Sequence, residues 1–401
     1  MWKGDKIMKQ NKKLLALLLV LAIAFTSLTL VACTQGGDKN GGQGDAGVTQ
    51  EVKNPGDIVK NADGTVTFMD MNNVVHKNIK TGKQRIINLW PANTSTFFGI
   101  GAGDKLLATS IQQAPWVEVF YPAIKTRKDF VLERGINVTA EYLVNRNPDL
   151  VIVHPSNGKD LQKQLLAVGV DAIFINFSDF ESMKKCYKIV GALLGGEYET
   201  KLNYWCTRVD KTKAKIKAKT DLLKDNERPV VLYCTGIGKK EGSTVTEFST
   251  MGANSIFQDW CEIAGGKYFM AEHTNIQGMT ITQENVLDNW PGIILCAGAN
   301  QNKTYETLKA PDSVYVEHIA KNGTKIVKNP YVLFDIARFG FEALLQMSQA
   351  VSVIQPAIAA ELGIDMKNEI KWFYSTFADV TLSDEQVQLI IDGKKPNGDP
   401  I

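Results

Sequence analysis

Two histidines, His154 and His273, are the residues whose chemistry could matter most in this chain, which has four histidines in all. Each follows an apolar, strand-like run, and each falls in a different half of the sequence. A neutral imidazole there can serve as an axial ligand to iron or as a hydrogen-bonding loop residue. Tyr121 could ligate iron as a phenolate in the same way. No second ligand is spaced beside any of the three, so the loop role is favoured and no resident metal site or cofactor is expected. Five cysteines lie beyond residue 50: Cys186, Cys206, Cys234, Cys261 and Cys296. They form no paired-thiol metal motif and read as buried free thiols. A bridge between Cys234 and Cys296 is left open, since both end strand-like runs. Cys186 and Cys206, on one continuous helix, would stand about 30 Å apart and could not join. There is no Gly-x-Ser-x-Gly elbow, no phosphate loop and no His-Glu-x-x-His, so an enzyme is not expected.

Cys33 carries a different signal. Lys9, Lys12 and Lys13 precede an apolar run from Leu14 to Phe25, which leads into Leu30-Val31-Ala32-Cys33. A basic start, an apolar stretch and small residues before a cleavage point make an export signal. The last four residues resemble the lipobox of bacterial lipoproteins, in which the cysteine is acylated. The resemblance implies lipidation at Cys33 and an extracytoplasmic protein anchored to the cell membrane. Residues 34–50 are rich in Gly, Asp, Asn and Gln and cannot bury enough surface to fold. The expected division is therefore a signal over 1–32 and a tether over 33–62.

What remains is too long for one small core. Apolar content of 44% with 22% charged residues is globular, and a formal charge of +2 points to no polyanionic partner. A hairpin is expected over 65–79, turning at Asn72-Asn73. Strands and helices then alternate, which points to parallel βαβ units. The expected fold class is α/β, with two Rossmann-like lobes joined by a long rigid helix and a ligand cleft between them. The boundaries are 63–182 for the first lobe, 183–227 for the linking helix, 228–345 for the second lobe and 346–401 for C-terminal helices. A break is expected near Gly195-Gly196. The lysines at 211, 213, 215, 217 and 219 read as a solvated face.

Several segments, in order, resemble the helix-linked class of ABC-transporter solute-binding proteins, the receptors for ferric siderophores, haem and cobalamin. Gly101-Ala102-Gly103-Asp104-Lys105-Leu106-Leu107-Ala108 is one. Asn137-Val138-Thr139-Ala140-Glu141-Tyr142-Leu143-Val144, running into Asn147-Pro148-Asp149-Leu150-Val151-Ile152, is the clearest. Leu165-Leu166-Ala167-Val168-Gly169-Val170 and Ile281-Thr282-Gln283-Glu284-Asn285-Val286-Leu287 complete the set. The resemblance implies a monomeric receptor that delivers a metal chelate, ferric siderophore foremost, to an ABC permease dimer with its ATPase. It also implies that Glu141 and Glu284, one per lobe, dock on permease arginines. A haem or corrinoid receptor is the nearest alternative, and a ligand-sensing or adhesive surface lipoprotein is the alternative of another class.

Ligands of α/β sheets sit beyond the carboxyl ends of the strands. Candidate ligand-binding residues in the first lobe are Trp90, Asn93, Phe97, Trp116, Tyr121, His154 and Asn157. In the second lobe they are Thr235, Lys239, Phe248, Met251, His273, Gln277 and Met279. Tyr331, Phe334 and Arg338 come before the last helices. Arg338 matches a family arginine that often follows proline, but Ala337 precedes it here. Aromatic and amide side chains outnumber cations among these candidates, which favours a chelate of low net charge over a trianionic catecholate.

Overall fold

The computed structural model describes residues 51–110, 116–127, 130–132, 138–156, 158–239, 241–274, 278–298, 300–329 and 340–400. Order begins earlier than the sequence predicts. β1 (Ile58–Lys60) pairs antiparallel with β2 (Val66–Met69), which pairs with β3 (Val75–Ile79). The expected hairpin is thus a three-stranded meander. Its first strand lies inside the segment assigned to the tether, because Ile58-Val59 is too short an apolar run to stand out. Asn73, at φ 62°, makes the expected turn.

The meander is fastened by Asp70. Its Oδ1 accepts from the backbone N–H of Asn72 (2.9 Å) and Val74 (3.1 Å). Its Oδ2 accepts from His76 Nε2 (2.9 Å), the Phe174 N–H (3.0 Å) and the Gln162 amide. Asp70 and His76 are buried. Burial alone would raise the Asp70 carboxyl, but the His76 bond and the backbone donors outweigh it and hold it below its ordinary value.

The first lobe continues with β4 (Ile86–Asn88), α1 (Pro91–Gly99), β5 (Leu106–Ser110), α2 (Val117–Phe120), β6 (Val131–Leu132), α3 (Ala140–Val144), β7 (Leu150–Val153), α4 (Gly158–Ala167) and β8 (Ala172–Phe174). The strands form one parallel sheet in the order β6-β5-β4-β7-β8. β4 and β7 are buried at every position, as a sheet covered on both faces requires.

The linking helix is two helices. α5 (Phe180–Leu194) ends at Gly195 (φ 70°), and Gly196 (φ 55°) opens α6 (Gly196–Thr220). The chain reverses at these glycines and α6 runs back along α5. Gly191 permits the close approach, since a Cβ there would lie 3.3 Å from Glu199 Cα. The reversal removes the distance argument for Cys186 and Cys206: Cys206 Sγ lies 3.8 Å from the Lys184 carbonyl. All five cysteines are nonetheless free and buried, and burial pushes the Cys234 thiol up to about 12. The lysine run is not simply solvated either. Lys213 pairs with Glu181, Lys217 with Asp221 and Lys219 with Glu361, and Lys215 donates to the Leu362 carbonyl.

The second lobe follows with β9 (Val230–Cys234), β10 (Gly236–Lys239), β11 (Thr246–Met251), α7 (Ile256–Ile263), β12 (Lys267–Tyr268), β13 (Gly278–Thr282), α8 (Gln283–Asp288), β14 (Ile293–Cys296), α9 (Gln301–Lys309), α10 (Val316–Asn322) and β15 (Lys325–Lys328). The parallel sheet runs β12-β9-β14-β15, and β10-β11-β13 form a separate antiparallel sheet. In the parallel sheet Cys234 and Cys296 are register partners on adjacent strands.

The tail is α11 (Ala343–Ile354), α12 (Pro356–Glu361), α13 (Met366–Phe377) and α14 (Asp384–Ile391). α11 is buried around nearly its whole circumference. Trp205 of α6 donates to the Phe341 carbonyl (2.9 Å) and Trp260 of α7 to that of Ala343 (3.1 Å). One apolar cluster includes residues of both lobes, the paired helices and the tail. The lobes therefore share a core instead of being hinged on a free linker. Asp259 of α7 adds a polar tie: it accepts from the Phe180 N–H at the start of α5 (3.0 Å), and burial pushes its carboxyl up to about 6.

Candidate functional site

The carboxyl ends of the first sheet carry a buried polar network. Asn88, the last residue of β4, donates to the Trp90 carbonyl (2.9 Å), Thr94 Oγ1 (2.7 Å) and Thr109 Oγ1 (3.1 Å). Asn93 Nδ2 donates back to Asn88 Oδ1 (3.3 Å), and its own Oδ1 meets no donor among the described residues. Trp90 is 8% exposed and packs on Phe177 at a centroid distance of 4.4 Å. His154 directly follows β7. Its Nδ1 accepts from the Ser156 N–H (3.1 Å), so the ring proton sits on Nε2. Burial lowers its pKa and keeps the ring neutral. His154 thus offers a hydrogen-bond donor instead of a metal-ligating lone pair.

In the second sheet, the Asn329 N–H bonds the Cys296 carbonyl (2.7 Å) at the end of β14, and Asn329 Nδ2 donates to Gln346 Oε1 (3.3 Å). Asn329 Oδ1 and Gln301 Oε1 are buried acceptors that meet no donor among the described residues. Sequence reasoning passed over both. Asn329 directly follows β15 and could have been read as an uncharged polar residue at a strand end, whereas Gln301 opens α9 five residues after β14 and gives no such signal. Thr235 lies at the end of β9, buried, with its N–H on the Ser249 carbonyl (2.8 Å). Met279 is half-buried on β13, and Lys239 is exposed at the end of β10. His273 is exposed and makes backbone bonds to Met270 and Ala253.

Several candidates are packing residues. Phe97, Trp116 and Phe248 are fully buried and Met251 is 4% exposed. Trp116 donates through Nε1 to the Lys394 carbonyl (3.0 Å), which pins the tail to the first lobe. Phe248 packs edge-on against Tyr315. Tyr121 donates to Asp104 (2.8 Å), accepts from Arg127 (2.6 Å) and packs on Phe98, so its hydroxyl is engaged and is no iron ligand. The aromatic excess among the candidates at these positions reflects the core instead of a ligand surface. Asn157, Gln277, Tyr331, Phe334, Arg338 and Cys33 lie outside the described residues, as do several loops that leave the strand ends. Among the described residues no group of acidic, histidine or cysteine side chains could hold a metal.

The two glutamates occupy matching units 143 positions apart. Thr139 caps α3 by accepting from the Tyr142 N–H (3.2 Å), and Thr282 caps α8 by accepting from that of Asn285 (3.3 Å). Glu141 and Glu284 are each the second helical residue, and both are exposed. Leu143 and Val286 plug the core, and Pro148 and Pro291 each precede a buried strand by two residues. One capped turn is therefore used twice, each time to lift a carboxylate from a rigid base.

A family model for periplasmic binding proteins matches residues 57–324. The chain belongs to that family. Two Bacillus subtilis proteins resemble it over about half its length. One is named an uncharacterized ABC transporter substrate-binding lipoprotein, YvrC, 26% identical over 208 residues, which are 50% of this chain and 60% of that one. The other is named the iron(3+)-hydroxamate-binding protein FhuD, 23% identical over 189 residues, 47% of this chain and 53% of that one. The chain thus spans only 60% and 53% of the length of these curated relatives. Among solved structures, a periplasmic solute-binding protein from Veillonella parvula superposes with a TM-score of 0.62 at 18% identity, covering 85% of this chain and 98% of that one. The molybdate-binding protein MolA of Haemophilus influenzae gives 0.64 at 13%, covering 79% and 99%. At such identities the family's two-lobed α/β fold is what is shared.

Proposed function

We propose that this protein is the extracytoplasmic receptor of an ABC importer, held to the membrane by a lipid at Cys33, and that it captures a metal chelate of low net charge, a ferric hydroxamate first. It acts as a monomer and does no chemistry on its ligand. The observation that carries the ligand class is the neutral polar character of the strand ends: the buried residues Asn88, Asn93, Thr94, Thr109, Thr235 and Asn329 are amides and hydroxyls, and His154, which follows β7, is neutral. A trianionic chelate would leave its charge uncompensated against such groups. The name of the FhuD relative supports the same class, and that of YvrC supports the tether. No helix among the described residues is long and apolar enough to cross a membrane. In this reading Glu141 and Glu284 dock on cations of the permease.

Uptake of radiolabelled ferric hydroxamate by cells with and without the protein tests the proposal. Uptake is expected to fall on deletion and to return with the wild-type gene. Cys33→Ala should restore it poorly, because the protein would leave the membrane while still binding ligand. Unchanged hydroxamate uptake in the deletion strain would overturn the proposal.

A further inference from the structure

A cavity of about 120 Å³ lies between α6, α11 and α13, away from the strand ends. It is lined by Arg208, Lys211 and Lys215 from one face of α6, and by Thr212, Ser348 and Glu369 among its other polar residues. The three cations fall at i, i+3 and i+7, where like charges repel. Their neighbours Lys213, Lys217 and Lys219 pair with acids, whereas no described acid lies within ion-pair distance of these three. Arg208 lies over the Trp372 ring at 4.4 Å, and its Nε is buried with no acceptor among the described residues. Lys215 reaches a backbone carbonyl. Lys211 is exposed and makes no ion pair with a described residue. Glu369 faces Arg208 and Lys215 across the cavity without pairing with either, and burial raises its carboxyl while those two cations pull it down.

A buried guanidinium nitrogen with no acceptor and a surplus of positive charge call for an anion. The volume holds several water-sized groups, enough for a five-atom oxyanion. Glu369 adds selectivity. A carboxylate repels a fully ionised oxyanion but accepts a hydrogen bond from one that keeps a proton. We infer that this cavity is a second binding site, for the hydrogen phosphate ion, with Arg208, Lys211 and Lys215 on its charged oxygens and Glu369 on its hydroxyl. Bound there, the ion would clamp α6 to the tail helices. This inference does not depend on the chelate.

Calorimetric titration of the purified protein with sodium phosphate and with sodium sulfate, at pH 7 and matched ionic strength, tests it. Phosphate is expected to bind saturably at one site and sulfate at least about tenfold more weakly, the weight of one charge-assisted hydrogen bond. Lys211→Ala, which disturbs no packing, should weaken phosphate by about fivefold to tenfold. Glu369→Gln should bring phosphate and sulfate to near parity, because the amide can donate to either ion. No saturable phosphate binding, equal affinity for sulfate in the wild type, or indifference to Lys211→Ala would each overturn the assignment.

Discussion

Asp70→Ala is expected to cost about 3–5 kcal/mol of stability, with a fall in Tm on the order of 5–10 °C. The carboxylate is buried, and its two oxygens satisfy donors from the turn at Asn72 and Val74, from His76, from Gln162 on α4 and from Phe174 on β8. Removing it leaves those donors buried and unpaired and frees the meander from the sheet. Asp70→Asn keeps the shape but sets an N–H against donors, so it should recover only part of the loss. The pH dependence has a fixed sign. The folded carboxyl is held below its ordinary value of 3.8, so its stabilisation is present above 3.8 and is lost as pH falls through the lower folded value. The gap between wild type and Asp70→Ala should therefore be wide at pH 7 and narrower at pH 3, by chemical denaturation at each pH. An equal gap at both would show that the charge is not what stabilises the fold.

Reversing both carboxylates proposed to dock, Glu141→Lys with Glu284→Lys, is expected to abolish uptake, by at least about a hundredfold, if each charge pair with the permease contributes on the order of 1.5 kcal/mol or more. Each single reversal should have a partial effect. The cost to the receptor itself should be small, about 0.3–1 kcal/mol per site, since both side chains are exposed and lose only their favourable place near a helix N-terminus. Ligand affinity of the purified double variant should match wild type within about twofold, a difference of under 0.5 kcal/mol. Weakened ligand binding would place these residues in the ligand site instead.

Much of the fold was legible because parallel strands buried on both faces announce themselves. Cys234 and Cys296 each end a strand, Val230–Cys234 and Ile293–Cys296, as their apolar runs predict. β10, β11 and β13 were missed, because Gly236, Gly238 and Gly278 and the scattered threonines give no clean alternation. The reversal at Gly195 was anticipated only as a break. Two glycines in sequence do not say whether a helix kinks or doubles back. That depended on Gly191, whose missing Cβ lets α6 pack on α5. The site was less legible than the fold. A large aromatic residue beyond a strand end fits a ligand or a core equally well, and Phe97, Trp116 and Phe248 went to the core. The glutamates came from the family resemblance alone, and the structure adds that a threonine cap, a buried aliphatic and a proline before the strand bracket each of them at the same spacing.

The central claim is that the strand ends of the two lobes bind a chelate of low charge. Titrating the purified protein by tryptophan fluorescence with a ferric hydroxamate, a ferric catecholate, haem and cobalamin tests it most directly, with Trp90→Phe to assign the signal. Saturable quenching by the hydroxamate at submicromolar affinity, reduced in amplitude by Trp90→Phe and weak or absent with the catecholate, is the predicted result. Tight binding of the catecholate in preference to the hydroxamate, or no response to any of the four, would contradict it.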